Sequence, residues 1–280
     1  MAGRRRRFSG VMLGVTLFFL YAPMLVLIVY SFNANKRVNV WSGFSTRWYV
    51  ELFADQAMVS AMWMSLRLAL ATATAAMVLG TLAAVVLTRM RGFRSRTLFG
   101  GMVTAPLVMP EVITGLSLLL LFVAMADSLG WPAQRGFTTI WIAHVTFCMA
   151  YVTVVISSRL REMDTSLEEA AMDLGAGRVR TFFLITLPII APALAAGWLL
   201  AFTLSLDDLV VASFVAGPSS TTLPMVVFSS VRLGLSPEVN ALATILILAV
   251  STVTLLGFWL LQRAERRRLA DMQAALAQRD

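Results

Sequence analysis

Five stretches of this chain, Val11 to Phe32, Leu68 to Thr88, Gly136 to Ser158, Thr181 to Leu206 and Val239 to Gln262, contain no charged side chain. Each matches the about 20 residues that a helix needs to cross ~30 Å of hydrocarbon. A sixth run, Thr97 to Ala126, carries only Glu111. Hydrocarbon offers no water to exposed backbone groups, so such runs must satisfy their own N–H and C=O groups as helices. An apolar content of 59%, a charged content of 14% and a mean hydropathy of +0.80 lie outside the range of soluble domains. The expected fold is all-α, a polytopic membrane protein with six transmembrane helices, at about 11–32, 62–88, 98–126, 137–158, 188–208 and 239–262. Residues 1–280 are expected to form one domain.

A seventh uncharged run, Leu209 to Val231, is cut by Gly217-Pro218-Ser219-Ser220-Thr221-Thr222 and by Pro224 into pieces too short to span. Broken backbone at membrane depth needs protein or water around it. Six spans also suit the charges, because basic residues favour the cytoplasmic side. Arg4 to Arg7 precede the first span, four arginines lie in Arg89 to Arg96, four in the loop Arg159 to Arg180, and five follow the last span. Lys36, Arg37, Arg47, Arg135 and Arg232 occupy the outer segments, and Arg67 lies near the outer start of the second span. Both termini are therefore expected in the cytoplasm. The net charge of +8 then reports topology, and no basic soluble domain exists to bind nucleic acid. The first apolar run is too long for an ordinary signal peptide and reads as an anchor.

Chemistry is scarce. Lys36 is the only lysine, which leaves no room for a G-x4-G-K-[ST] phosphate loop. The single histidine, His144, and single cysteine, Cys148, make a metal cluster or a hydrolytic triad improbable. No catalytic and no metal-ligating residue is expected. His144 and Cys148 share a helix face at i, i+4 spacing and read as an intrahelical polar pair facing neighbouring helices.

Between the fourth and fifth spans, residues 159–187 form a polar loop with structure of its own. Ser166-x-x-Glu169 has the form of a capping box. Leu167, Ala170, Ala171 and Leu174 then recur at helical spacing, with Glu168, Glu169 and Asp173 opposite, and Gly175 is placed to stop the helix in the left-handed conformation. The expectation is a two-turn amphipathic helix. A second short helix should start near Arg178, and Pro188 with Pro192 should kink the start of the fifth span. On these grounds alone an ordinary capped interfacial helix is the favoured reading.

The loop also reads Glu169-Ala170-Ala171, Gly175, Ile185, Leu187 and Pro188, an EAA-x3-G-x9-I-x-L-P pattern. With it the chain resembles the transmembrane permeases of bacterial binding-protein-dependent ABC importers. The resemblance runs from about Tyr21 to Glu265 and is nearest to the polyamine importers, putrescine first and spermidine beside it. It is carried by the segments Thr104 to Leu116, Ser205 to Phe214, Thr222 to Met225 and Ser236 to Thr244. The resemblance implies that the helix around Glu169 is a cytoplasmic coupling helix, with Asp173 and Leu174 part of it, docking on an ATPase. It implies a heterodimer with a second homologous permease, a dimeric cytoplasmic ATPase that holds ATP and Mg, and a periplasmic polyamine-binding protein. The setting would be the bacterial inner membrane, in contact with lipid, and no cofactor is expected on this chain.

Three carboxylates invite a cation. Glu111, in the third apolar run just after Pro106-x3-Pro110, either faces a pathway opened by the bent helix, pairs with an arginine or caps a broken helix. Asp207-Asp208 at the end of the fifth span, with Ser205 on the approach, either caps the span at the outer surface or holds a dicationic diamine. The likeness to polyamine importers favours the diamine. Trp48 is a candidate for cation-π contact with an alkyl-ammonium group, or an interfacial anchor. Competing functions are a permease for another solute such as spermidine, thiamine or iron, and an ATP-independent channel or secondary carrier. Negative side chains disfavour an oxyanion, and no inverted repeat of the carrier type is evident.

Overall fold

The computed structural model describes residues 2–36, 40–90, 92, 94–233, 237–252, 255, 259, 262 and 263. Among them the chain is helical, with no strand and a single isolated bridge between Asn33 and Phe44. The helices are α1 (Ala2–Ser31), α2 (Arg47–Ala54), α3 (Gln56–Arg89), α4 (Arg96–Val108), α5 (Glu111–Leu129), α6 (Phe137–Glu162), α7 (Ser166–Asp173) and α8 (Arg178–Thr181). A π-helical turn (Phe182–Thr186) leads into α9 (Leu187–Asp207), followed by α10 (Val210–Val215), α11 (Leu223–Leu233) and α12 (Pro237–Thr252).

Among the described residues five helical stretches are long and apolar enough to cross a membrane: Phe8–Ser31, Gln56–Arg89, Glu111–Leu129, Phe137–Glu162 and Arg178–Asp207. They coincide with the first five expected spans, with one correction. The run 98–126 is not one helix. It breaks at Met109 and Pro110, both extended, with ψ 134° and 136°. Pro110 has no N–H to continue the α4 ladder, and its ring forces Met109 out of the helical region. Glu111 therefore opens α5 instead of sitting mid-span. The expected last span, 239–262, is seen as α12 up to Thr252, and most of its remainder lies outside the described residues.

The chain packs as two units, Met1–Gln56 with Ser229–Asp280, and Ala57–Phe228. In the first, Asn33 organises the segment after α1: its side-chain amide donates to the Val40 carbonyl at 2.7 Å and its carbonyl oxygen accepts the Ser42 N–H at 3.0 Å. Ser31 and Tyr49 join α1 to α2 through their hydroxyls at 2.7 Å.

The second unit is built on α3 and α6. One face of α3 buries Ala69, Ala73, Ala76, Gly80, Ala83 and Ala84, a row of small residues that lets helix axes approach closely where no water drives association. A Cβ on Gly80 would stand 2.8 Å from a Val152 methyl and 3.1 Å from the Met149 carbonyl of α6. Cys148, Val152, Ile156 and Leu160 of α6 carry this core on to Ile190 and Ala201 of α9. A second cluster joins Leu68, Phe122, Ile140 and Ala143 to Val211, Ala212 and Val215 of α10.

The fragments of the seventh apolar run find their partners inside this unit. The Asp208 carboxylate accepts the backbone N–H groups of Val211 at 3.3 Å and Ala212 at 2.8 Å, at the start of α10. At its other end the Thr139 hydroxyl donates to the Val215 carbonyl at 2.8 Å, and Arg135 donates to that of Phe214 at 3.1 Å. The Leu223 N–H donates to Ser65 Oγ at 2.7 Å. Side chains thus satisfy the backbone groups that a helix of only six residues leaves open.

Candidate functional site

The loop between α6 and α9 forms the expected short helix, α7, and ends it as the sequence requires. Gly175 adopts φ +89°, its N–H donates to the Met172 carbonyl at 2.9 Å, and the Ala176 N–H donates to that of Ala171 at 3.0 Å. This is the Schellman pattern, which needs a left-handed residue and therefore favours glycine. The expected capping box does not form. Ser166 is already inside the helix, one position too late to cap it, and Thr165 at the N-cap makes no side-chain bond. Asp164 acts instead, accepting the Ser166 N–H at 2.9 Å, and its bonds with the Ser166 backbone and side chain hold its carboxyl below the usual range.

Exposure of α7 sorts cleanly. Glu169, Ala170 and Asp173 are exposed, Leu174 is 90% exposed, and Leu167 and Met172 also face outward, while Ala171 is half-buried. An apolar edge is therefore presented away from the body of the chain. Glu168, expected on the solvated side, turns inward: Arg89 Nε of α3 lies 2.9 Å from its Oε2, and the Thr186 hydroxyl donates to its Oε1 at 2.6 Å. Sequence reasoning missed this pair, because nothing in the spacing links Arg89 to a loop so far along the chain.

Ile185 lies in the π-turn, half-buried; Leu187 begins α9, and Pro188 is exposed. The expected kink takes this form because Pro188 cannot donate to a preceding carbonyl, and the ladder widens to an i→i−5 bond from Leu187 to Phe182.

The break at Pro110 and the end of α9 meet around a cavity of about 470 Å3 within the second unit. Glu111, Asp207 and Asp208 all line it, with Thr114, Phe147, Tyr151, the prolines Pro106 and Pro110, and apolar side chains of α4, α9 and α10. No lysine, arginine or histidine is among its lining residues. Its size falls within the about 300–1,000 Å3 of small-molecule sites. Two aromatic rings beside three carboxylates are the groups that hold an alkyl-ammonium ligand.

Ser205 is not in the cavity wall. It is 3% exposed and its Oγ lies 2.8 Å from His144 Nδ1, while His144 Nε2 stands 3.1 Å from Asp208 Oδ2. The order Ser205–His144–Asp208 has the connectivity of a hydrolytic triad, yet the serine is covered and the carboxylate is tied to two backbone N–H groups. A nucleophile needs access to its substrate, so this chain of bonds is a brace between α6, α9 and α10. The expected pairing of His144 with Cys148 gives way to it, and Cys148 Sγ instead lies 3.6 Å from the Ala201 carbonyl.

Trp48 is corrected. It belongs to the first unit, is 2% exposed, donates its indole N–H to the Asn33 carbonyl at 2.6 Å, and has the Arg47 guanidinium 4.0 Å over its ring. Its indole N–H is engaged and a guanidinium of this chain already lies over its ring, and it packs the segment after α1.

Residues 76–269 match the family of binding-protein-dependent transport system inner membrane components. The chain belongs to this permease family. Over 265 residues it is 64% identical to the putrescine transport system permease protein PotI of Escherichia coli (strain K12), covering 95% of this chain and 94% of that relative. It is 42% identical over 263 residues to the spermidine/putrescine transport system permease protein PotC of the same strain, covering 94% and 96%. Its fold is similar to a chain of a bacterial ABC transporter involved in the import of alginate (TM-score 0.68, 16% identity, 89% and 93% covered) and of the MetNI methionine ABC transporter (TM-score 0.58, 17% identity, 72% and 91% covered). As a member of the family with several membrane-length helices, it is a multi-pass protein of the inner membrane.

Proposed function

We propose that this chain is a permease subunit of an ATP-driven importer carrying putrescine or a close polyamine across the bacterial inner membrane. The observation that carries the reading is the cavity shared by Glu111, Asp207 and Asp208, free of basic side chains among its lining residues. Its charge suits a diamine and repels an oxyanion. The likeness to putrescine and spermidine/putrescine permeases supports the same substrate class.

In this reading residues 1–280 are one permease domain with six spans and both termini in the cytoplasm, which the arginine distribution supports. Helix α7, with Glu169, Ala170, Ala171, Asp173, Leu174 and Gly175, is the coupling helix, and Ile185, Leu187 and Pro188 set the start of the fifth span. It docks on a dimeric cytoplasmic ATPase, which binds ATP and Mg. A second homologous permease completes the pathway, and a periplasmic polyamine-binding protein delivers the substrate. Small exposed Ala170 lets α7 seat deeply, and closure of the ATPase dimer then moves it as a lever. The cavity need attract the cation only weakly, because the cation must also leave. Ser205 serves the pathway indirectly, by holding Asp208 through His144.

Uptake of labelled putrescine into proteoliposomes containing this chain, its partner permease and the ATPase, with the binding protein supplied, tests the proposal. ATP-dependent uptake that Ala170→Arg abolishes is expected. Uptake that continues without ATP would overturn the importer assignment.

A further inference from the structure

Helix α7 has eight residues and no buried side chain of its own, so a push on it must reach the membrane spans through few contacts. Its covalent tethers are a poor route. On one side the chain passes Met163 in extended conformation, and on the other the left-handed Gly175 and an extended Gly177. Glu168 makes the firm connection. Its Oε2 lies 2.9 Å from Arg89 Nε and its Oε1 3.3 Å from the Arg89 terminal nitrogen, at the last residue of α3. The same Oε1 accepts the Thr186 hydroxyl at 2.6 Å, at the end of the π-turn. Glu168 and Arg89 are only 15% and 22% exposed, so solvent screens the pair less than a surface pair. Beside it opens a cavity of about 640 Å3, lined by Thr88, Arg89, Glu168, Arg178, Thr181 and Phe182 among others. The link is part-buried, and it stands next to free space.

We infer that Glu168 is the positioning residue that transmits displacement of α7 to α3 through Arg89 and to α9 through Thr186. The inference rests on α7 being the coupling helix. Both ends of the link sit where motion has consequences. Arg89 closes the helix whose small-residue face packs on α6, and Thr186 ends the π-turn in which the ladder widens before α9 begins. One carboxylate with two oxygens therefore drives two spans together, and the i,i+1 neighbour Glu169 remains outside for the partner.

The test measures putrescine moved per ATP hydrolysed in proteoliposomes of the complete importer. Glu168→Gln keeps the volume and an oxygen for Thr186 but loses the ion pair, and Arg89→Gln removes it from the other side. Each is expected to lower the ratio by roughly fivefold or more while the ATPase still co-purifies. The exchange Glu168→Arg with Arg89→Glu is expected to restore most of it. A ratio equal to the native one in both single variants, with Ala170→Arg still abolishing uptake, overturns the link and leaves the coupling helix standing. If Ala170→Arg also has no effect, the coupling reading itself has failed. Loss of the ATPase from the purified single variants would reduce Glu168 to an assembly role and equally overturn the inference.

Discussion

His144 Nε2 and Asp208 Oδ2 lie 3.1 Å apart, and that contact ties the middle of α6 to the break between α9 and α10. On the other side of the ring, Nδ1 shares a hydrogen bond with the Ser205 hydroxyl at 2.8 Å. His144→Phe preserves much of the volume but strands a covered hydroxyl and leaves Asp208 with backbone donors alone. The expected loss is about 2–4 kcal/mol of stability, read as a lower unfolding temperature of the purified assembly. An unchanged melting temperature would contradict the bracing role.

The cavity predicts graded losses. Glu111→Gln and Asp207→Asn should each slow putrescine uptake about tenfold, and the double variant should slow it by about a hundredfold or more if each carboxylate contributes a charge-assisted bond of about 1.5 kcal/mol. ATPase activity should persist. Full transport by the double variant would make both carboxylates structural.

Close packing of α3 on α6 predicts a paired outcome. Gly80→Ala places a methyl 2.8 Å from Val152 Cγ1 and should destabilise the protein by about 1–3 kcal/mol. Adding Val152→Ala should recover much of it. Thermal unfolding of the two single variants and the double measures this directly, and strict additivity would deny the contact.

Gly175 predicts an effect confined to the loop. Nothing lies within 4 Å of its missing Cβ, so the obstacle at φ +89° is backbone strain alone. Gly175→Ala should cost about 1 kcal/mol, and Gly175→Asn less. If α7 is the coupling helix proposed above, ATP-driven uptake should fall in the reverse order of stability, Gly175→Ala furthest, because the end of that helix is loosened. Equal uptake in both variants would separate the left-handed turn from coupling.

Runs without charge made the long helices legible, since hydrocarbon leaves the backbone one solution. The loop was legible at Gly175 for the same kind of reason: one conformation, one residue suited to it. Glu111 was harder. Pro106 and Pro110 both mark the run, but only Pro110 ends a helix while Pro106 stays inside α4, and hydropathy does not register the loss of one N–H. Glu168 was misplaced because helical spacing sorts side chains into two faces but cannot say that a distant arginine waits on one of them. Trp48 illustrates the same limit, as its partners Asn33 and Arg47 are set by how the segment after α1 folds back. Tertiary partners of polar side chains are a property of the packed chain, and no local pattern encodes them.

The interruption at Pro110 leaves the first N–H groups of α5 turned toward the side on which Glu111 begins that helix. A helix start carries partial positive charge, worth several tenths of a kcal/mol to about 2 kcal/mol to a nearby carboxylate. Glu111, the exposed first residue of α5, therefore stands at the end of the helix where the main chain carries that partial charge. In the pathway proposed above, a carboxylate placed at a helix start would meet a passing ammonium group without having to retain it.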